Sequence, residues 1–85
     1  MYQIQISNTV YHQFRKLSAI NQQRVKNAIA RLSGTPRPSG VKKLVGEGNE
    51  DDYRIRVGDY RVLYHINDNT RLITIFRVNS RENTY

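Results

Sequence analysis

The stretch that most constrains this chain runs from Tyr53 to Tyr64 and reads Tyr-Arg-Ile-Arg-Val-Gly-Asp-Tyr-Arg-Val-Leu-Tyr. Its strict alternation predicts a β-hairpin: Tyr53, Ile55 and Val57 point one way, and Arg54 and Arg56 the other. Gly58-Asp59 suits a two-residue type II′ turn, since glycine at the first central position tolerates positive φ. Val57 then pairs with Tyr60, Arg56 lies directly opposite Arg61, and Leu63 faces Arg54. Like charges paired across a ladder are destabilising. Three guanidinium groups on one sheet face, two of them cross-strand neighbours, therefore point to an anionic ligand, with polyphosphate the natural candidate.

The rest of the chain bounds what that hairpin belongs to. With 85 residues, the expectation is one domain spanning 1–85, near the size limit at which a single core suffices. There is no cysteine, and the two histidines, His12 and His65, show no metal-ligand spacing, so neither a metal site nor a cofactor is expected. No apolar run reaches the roughly 18 residues of a membrane span. The opening Met1-Tyr2-Gln3-Ile4 lacks the basic and apolar regions of a secretion signal. These features predict a soluble protein of the cytoplasm. Fourteen basic residues against seven acidic ones give a net charge of +7, a balance that favours nucleic acid, an acidic protein or a membrane surface as partner. All four lysines (Lys16, Lys26, Lys42, Lys43) precede the hairpin. From Tyr53 onward the bases are Arg54, Arg56, Arg61, Arg71, Arg77 and Arg81, whose planar forks match phosphate oxygens.

Periodicity supplies the remaining elements. Tyr2 to Ile6 alternates as a first strand, and Ser7, Asn8 or Thr9 can cap the helix that follows. Val10, Phe14 and Leu17 form its apolar edge. A break is expected around Ser18 to Asn21. A second helix with the stripe Val25, Ala28, Ile29 and Leu32 follows, and Gly34 is placed to end it. Thr35 to Gly40 is a loop, Val41 to Val45 a short strand, and the acidic Gly46 to Asp52 a solvated turn. Tyr60 to Ile66 and Leu72 to Val78 are strands joined through Asn67-Asp68-Asn69-Thr70, with His65 paired to Leu72. The arginine face then also carries Thr74, Phe76 and Ser80. Tyr53, Tyr60 and Tyr64 are expected to pack against the helices. The fold class is α+β: a helical hairpin on a small, mostly antiparallel sheet in the order β-α-α-β-β-β, with a strand-like tail.

That architecture, with Lys42-Lys43-Leu44 leading to Gly46, Tyr53 to Tyr64, and a tail bearing Arg81 and Tyr85 at four-residue spacing, resembles the RelE/ParE superfamily of toxin–antitoxin toxins, and most of all its RelE branch. The resemblance implies a ribosome-dependent endoribonuclease that cuts messenger RNA in the A site. It also implies a cognate RelB-like antitoxin, and a toxin–antitoxin hetero-oligomer as a candidate binder of operator DNA. Arg61, Arg81 and Tyr85 match the family pattern directly. Arg54 and Arg56 stand where some members carry lysine, and Ser80 where many carry histidine.

Those departures bear on the chemistry. Attack by a 2′-hydroxyl needs a proton acceptor, stabilisation of the charged phosphorane and a donor for the leaving 5′-oxygen. Arginine serves the second need well and the first poorly. The acceptor is therefore sought in Tyr85, His65, Lys42 or Lys43, with Tyr85 preferred on the family pattern. The catalytic set implied is Arg56, Arg61, Arg81 and Tyr85; Lys42, Lys43, Arg54, His65 and Arg77 are the RNA-binding set. Two other readings stand beside it: a ParE-like toxin that inhibits DNA gyrase, and a basic RNA-binding relative without catalysis.

Overall fold

In the computed structural model, which describes residues 1–44 and 51–80, the first strand β1 (Gln3–Ile6) gives way at once to a helix. Ser7 makes the switch: its hydroxyl accepts the amide of Val10 at 3.2 Å and caps α1 (Asn8–Arg15). Ser18 repeats the device with the amide of Asn21 at 3.3 Å, starting α2 (Ala19–Leu32). The break between helices is therefore Lys16 to Ser18 rather than Ser18 to Asn21, because the capping serine makes Ala19 to Asn21 the first turn of α2. Gln22 ties the junction by donating its side-chain amide to the carbonyl of Leu17 at 3.1 Å.

Four further strands follow: β2 (Lys42–Lys43), β3 (Asp52–Val57), β4 (Tyr60–Asn67) and β5 (Leu72–Ser80). They form with β1 a five-stranded sheet in the order β1-β5-β4-β3-β2. Only the β1–β5 pairing is parallel. The α+β class is as expected, and β2 falls within the short strand expected at Val41 to Val45, paired with β3. Val45 and Gly46, assigned above to that strand and its turn, lie outside the described residues.

Both helices cover one face. Val10, Val25, Ile29 and Leu32 meet Tyr53, Ile55, Val62, Tyr64, Ile66, Ile73, Ile75 and Val78, all buried. Tyr53 and Tyr64 are thus core residues, with ring centroids 5.9 Å apart. The Tyr64 hydroxyl donates to the carbonyl of Pro36 at 2.8 Å. Burial, with Tyr53 adding to it, pushes its pKa up to about 12.

Two registers differ from expectation. His65 pairs with Thr74, not Leu72, because the β4–β5 loop occupies 68–71. Asn67 accepts the amides of Asn69 and Thr70 from the last position of β4, and Arg71 takes a left-handed φ of 54° to re-enter the sheet. A bulge then falls between the Leu63–Arg77 and Tyr64–Ile75 pairs, leaving Phe76 as the extra residue. Beyond it the parity reverses. Arg77 and Asn79 join the face opposite the helices, while Ser80, opposite Tyr60, does not.

Candidate functional site

The face of the sheet opposite the helices is ordered in rows. The hairpin turn is as the sequence predicts: Gly58 has φ of 60°, and Arg71 is the sole described non-glycine residue at positive φ, so Asp59 is not left-handed and the turn is type II′. Arg56 faces Arg61, and Arg54 faces Leu63. The amide of Ile66 donates to the carbonyl of Asp51 at 2.9 Å, which sets the phase of the ladder. Arg56–Arg61, Arg54–Leu63 and Asp52–His65 are then the pairs without mutual hydrogen bonds, where facing Cα atoms approach to about 4.5 Å and side chains crowd most.

Lys42 pairs with Arg54 across β2–β3 and brings a fourth cation. Gly40, at φ of 88°, carries the backbone up to it. Together Gly40, Lys42, Arg54, Arg56 and Arg61 line an open pocket of about 300 Å³. Among the described residues no carboxylate lies within ion-pair distance of these cations; Asp68 pairs with Arg37, and Asp52 is bonded to the His65 imidazole. A concavity lined by converging guanidinium and ammonium groups suits phosphate oxygens.

The other expected residues divide. Arg77 is exposed and faces Leu63, so the bulge places it on the same face as the pocket. His65 is also on that face, two rows from Arg61, with its Nδ1 2.7 Å from Asp52 Oδ1. It does not line the pocket. Lys43 is a correction: it pairs with Tyr53 and so falls on the helix-covered face, away from the arginines. Adjacent residues of one strand cannot share a face, a signal the sequence already held. Arg81 and Tyr85 lie outside the described residues. The last described residue, Ser80, stands opposite Tyr60, next to Arg61.

Three contributors were not singled out from the sequence. Gly40 and Asp52 are two of them. The third is Arg37, which grips the loop leading to the pocket. Its Nε donates to the Tyr53 hydroxyl at 3.0 Å, and its two terminal nitrogens reach Asp68 at 2.9 and 3.4 Å. Its guanidinium carbon lies 5.1 Å from the Tyr53 ring centroid. Asp68 accepts a further bond from the Tyr2 hydroxyl. Hydrogen bonds first from Arg37 and then from Tyr2 hold the Asp68 carboxyl below its ordinary pKa, and the bond to Asp68 raises that of Tyr2.

Residues 4–85 match the family described as the ParE toxin of type II toxin–antitoxin systems, parDE. A RelE1 toxin candidate of Methanocaldococcus jannaschii is 29% identical, over 99% of this chain and 94% of that protein. In the archaeal RelE–RelB complex from Pyrococcus horikoshii OT3, the similar chain is 31% identical with a TM-score of 0.85, and 98% of each chain is covered. The RelBE2 toxin–antitoxin complex of Mycobacterium tuberculosis contains a chain 27% identical with a TM-score of 0.80, covering 94% of this chain and 98% of that one.

Proposed function

Because this chain belongs to the RelE/ParE superfamily of toxins from type II toxin–antitoxin systems, and to its RelE branch, we propose that its arginine pocket binds and cleaves messenger RNA in the ribosomal A site. The observation that carries the reading is the pocket lined by Lys42, Arg54, Arg56 and Arg61, with no carboxylate paired to these cations among the described residues. Its convergent donors suit the phosphorane that forms when a 2′-hydroxyl attacks the adjacent phosphorus. Preorganised cations aimed at developing charge are the strongest single aid to such a step.

Arg56 and Arg61, forced together across the ladder, clamp the scissile phosphate. Lys42 and Arg54 hold the flanking backbone, and exposed Arg77 extends the track. Tyr85 acts as base or orients the base, and Arg81 stabilises the leaving 5′-oxygen, on the family pattern their positions match. Proton-transfer groups are sparse on this face, which fits a substrate bent and oriented by the ribosome. Orientation of that kind can contribute ~7–11 kcal/mol. In this reading the ribosome is an obligatory partner and free RNA is cut poorly.

The neighbour from Pyrococcus horikoshii is a RelE–RelB complex, which supports an antitoxin of the RelB kind as the second partner. Covering the four pocket cations by an acidic or amphipathic segment would neutralise the toxin. Binding of operator DNA by the pair is the corresponding expectation for regulation. No described helix is long and apolar enough to cross a membrane, and the proposed target places the protein in the cytoplasm.

Expression of the chain without a partner, followed by mapping of 5′ ends on translated messages, tests the reading. Cuts in register with the reading frame are expected. The family match described for ParE favours one second reading, inhibition of DNA gyrase by protein contact. Growth arrest with intact messages and blocked supercoiling would establish it instead.

A further inference from the structure

The face opposite the helices carries a second cluster beside the arginine pocket. Asp52, His65, Thr74 and Gln5 form one row across β3, β4, β5 and β1. The next row is Arg54, Leu63 and Arg77, and the next Arg56, Arg61 and Asn79. Successive rows are about 7 Å apart, two residues of strand. Among the described residues the cations of these three rows lie in two, while the third offers an imidazole, a hydroxyl and an amide beside half-buried Leu63.

Asp52 controls how the imidazole is presented. Its side chain is 14% exposed and that of His65 41%, with Nδ1 and Oδ1 2.7 Å apart. A carboxylate on one ring nitrogen fixes the ring plane and, in the neutral ring, keeps the proton on Nδ1 and the lone pair on Nε2. Nε2 is turned away from Asp52. Asp52 also sets a carboxylate in this row, which suits a phosphate less well than the two arginine rows do. What remains attractive there is a planar, uncharged group with hydrogen-bonding edges and an apolar face. Single-stranded RNA on an open sheet offers bases of that description next to its phosphates.

We propose that the His65 row is a nucleobase subsite flanking the arginine pocket, in which His65 Nε2 hydrogen-bonds a base edge, Leu63 contacts the ring, and Asp52 positions the imidazole. The subsite rests on the ribonuclease reading and deepens it, since it makes His65 a residue that selects which codon is cut. As an acceptor, Nε2 favours a base presenting an amine, such as N4 of cytosine or N6 of adenine.

The test uses the full chain with ribosomes carrying messages that differ only in the A-site codon. Wild type, His65→Ala, His65→Gln and Asp52→Asn are compared for the rate at each codon, with folding checked by circular dichroism. His65→Ala is expected to flatten the spread between the best and worst codons by about three- to tenfold, the worth of one hydrogen bond. Asp52→Asn should flatten it less, and His65→Gln, which keeps an acceptor, should restore part of it. A structural role alone would lower the melting temperature and all rates together, leaving the codon ranking intact. That result in both His65→Ala and Asp52→Asn, or in the two milder variants if His65→Ala does not fold, overturns the subsite while the ribonuclease reading stands. A wild-type chain that cuts no codon overturns both.

Discussion

Arg56 and Arg61 face each other across the β3–β4 ladder at a position without mutual hydrogen bonds, the closest approach that two cross-strand side chains have. Neighbouring Val57 and Tyr60 lie on the helix side and pack against the core, so the pair cannot rotate apart without unseating them. The hairpin holds two like charges together by burying its other face, and the repulsion is relieved when an anion enters the pocket.

Replacing one member should therefore separate stability from function. Arg56→Gln is expected to leave the folded state as stable as wild type or more stable by up to ~1 kcal/mol, the usual scale of a cross-strand pair. Added salt, which screens like charges, should stabilise wild type more than this variant. Cleavage of ribosome-bound message should fall by about 10²-fold or more in Arg61→Gln, as on removing a donor to developing charge. Urea unfolding at low and high salt beside a primer-extension assay measures both. An Arg61→Gln protein that cuts at the wild-type rate would remove the pocket from the mechanism.

The grip of Arg37 on Asp68 and Tyr53 gives a second prediction. The loop it holds leads to Gly40 and Lys42, one wall of the pocket. Arg37→Ala should accelerate amide exchange at Val41 and Leu44, which are bonded to the carbonyls of Pro38 and Asp52, more than at the core strands. Cleavage should weaken mainly through KM. Uniform acceleration across the sheet would mean that Arg37 supports global stability and not this wall in particular.

Asp68 lets the same contact be probed by pH. Its folded pKa lies below the ordinary 3.8, through Arg37 and then Tyr2. The stabilisation it contributes is thus complete above that value and is lost as pH falls through the lower folded one. Wild type should lose more stability than Asp68→Asn on acidification from about pH 5 to 2. Parallel curves in that range would show that Asp68 contributes no pH-dependent stability.

How much of this was legible in the sequence differs from element to element. The hairpin was, because alternation and Gly58-Asp59 together fix a register, and the register alone dictates Arg56 opposite Arg61. The fate of Arg77 was not: its face depends on a bulge at Phe76, set by how β5 fits between β4 and β1, and local alternation carries no trace of that. Asp52 was hidden by its setting at the end of an acidic run that reads as a solvated turn, whereas its partner lies thirteen residues on. Arg37 sits in a proline-flanked loop with no period at all, so only the tertiary fold brings Asp68 and Tyr53 to it.

Tyr64 predicts behaviour at the alkaline end. Its folded pKa, pushed up to about 12 by burial, lies above the ordinary value of 10. The stability linked to its neutral form is present below 10 and is lost as pH rises towards 12. Tyr64→Phe gives up the bond to Pro36, costing about 1 kcal/mol at neutral pH, but should unfold less steeply between pH 10 and 12. An unchanged slope in circular dichroism titrations would assign alkaline unfolding to other tyrosines.

The turn that sets the arginine register can be tested without touching an arginine. Gly58 has φ of 60°, and a methyl group built there would meet nothing closer than the Arg24 guanidinium at 3.6 Å. Space is therefore available, and strain decides the outcome. Gly58→Ala forces an alanine to the positive φ of the first central position of a type II′ turn, where strain costs about 1–3 kcal/mol. Gly58→Asn should cost less, since asparagine is among the residues found, after glycine, at the positive-φ positions of such turns. Both should keep the wild-type urea dependence, since the surface exposed on unfolding is unchanged. Should the alanine variant be as stable as wild type, the hairpin must reach Arg56 opposite Arg61 through another turn, and the geometry of the pocket would have to be rebuilt from there.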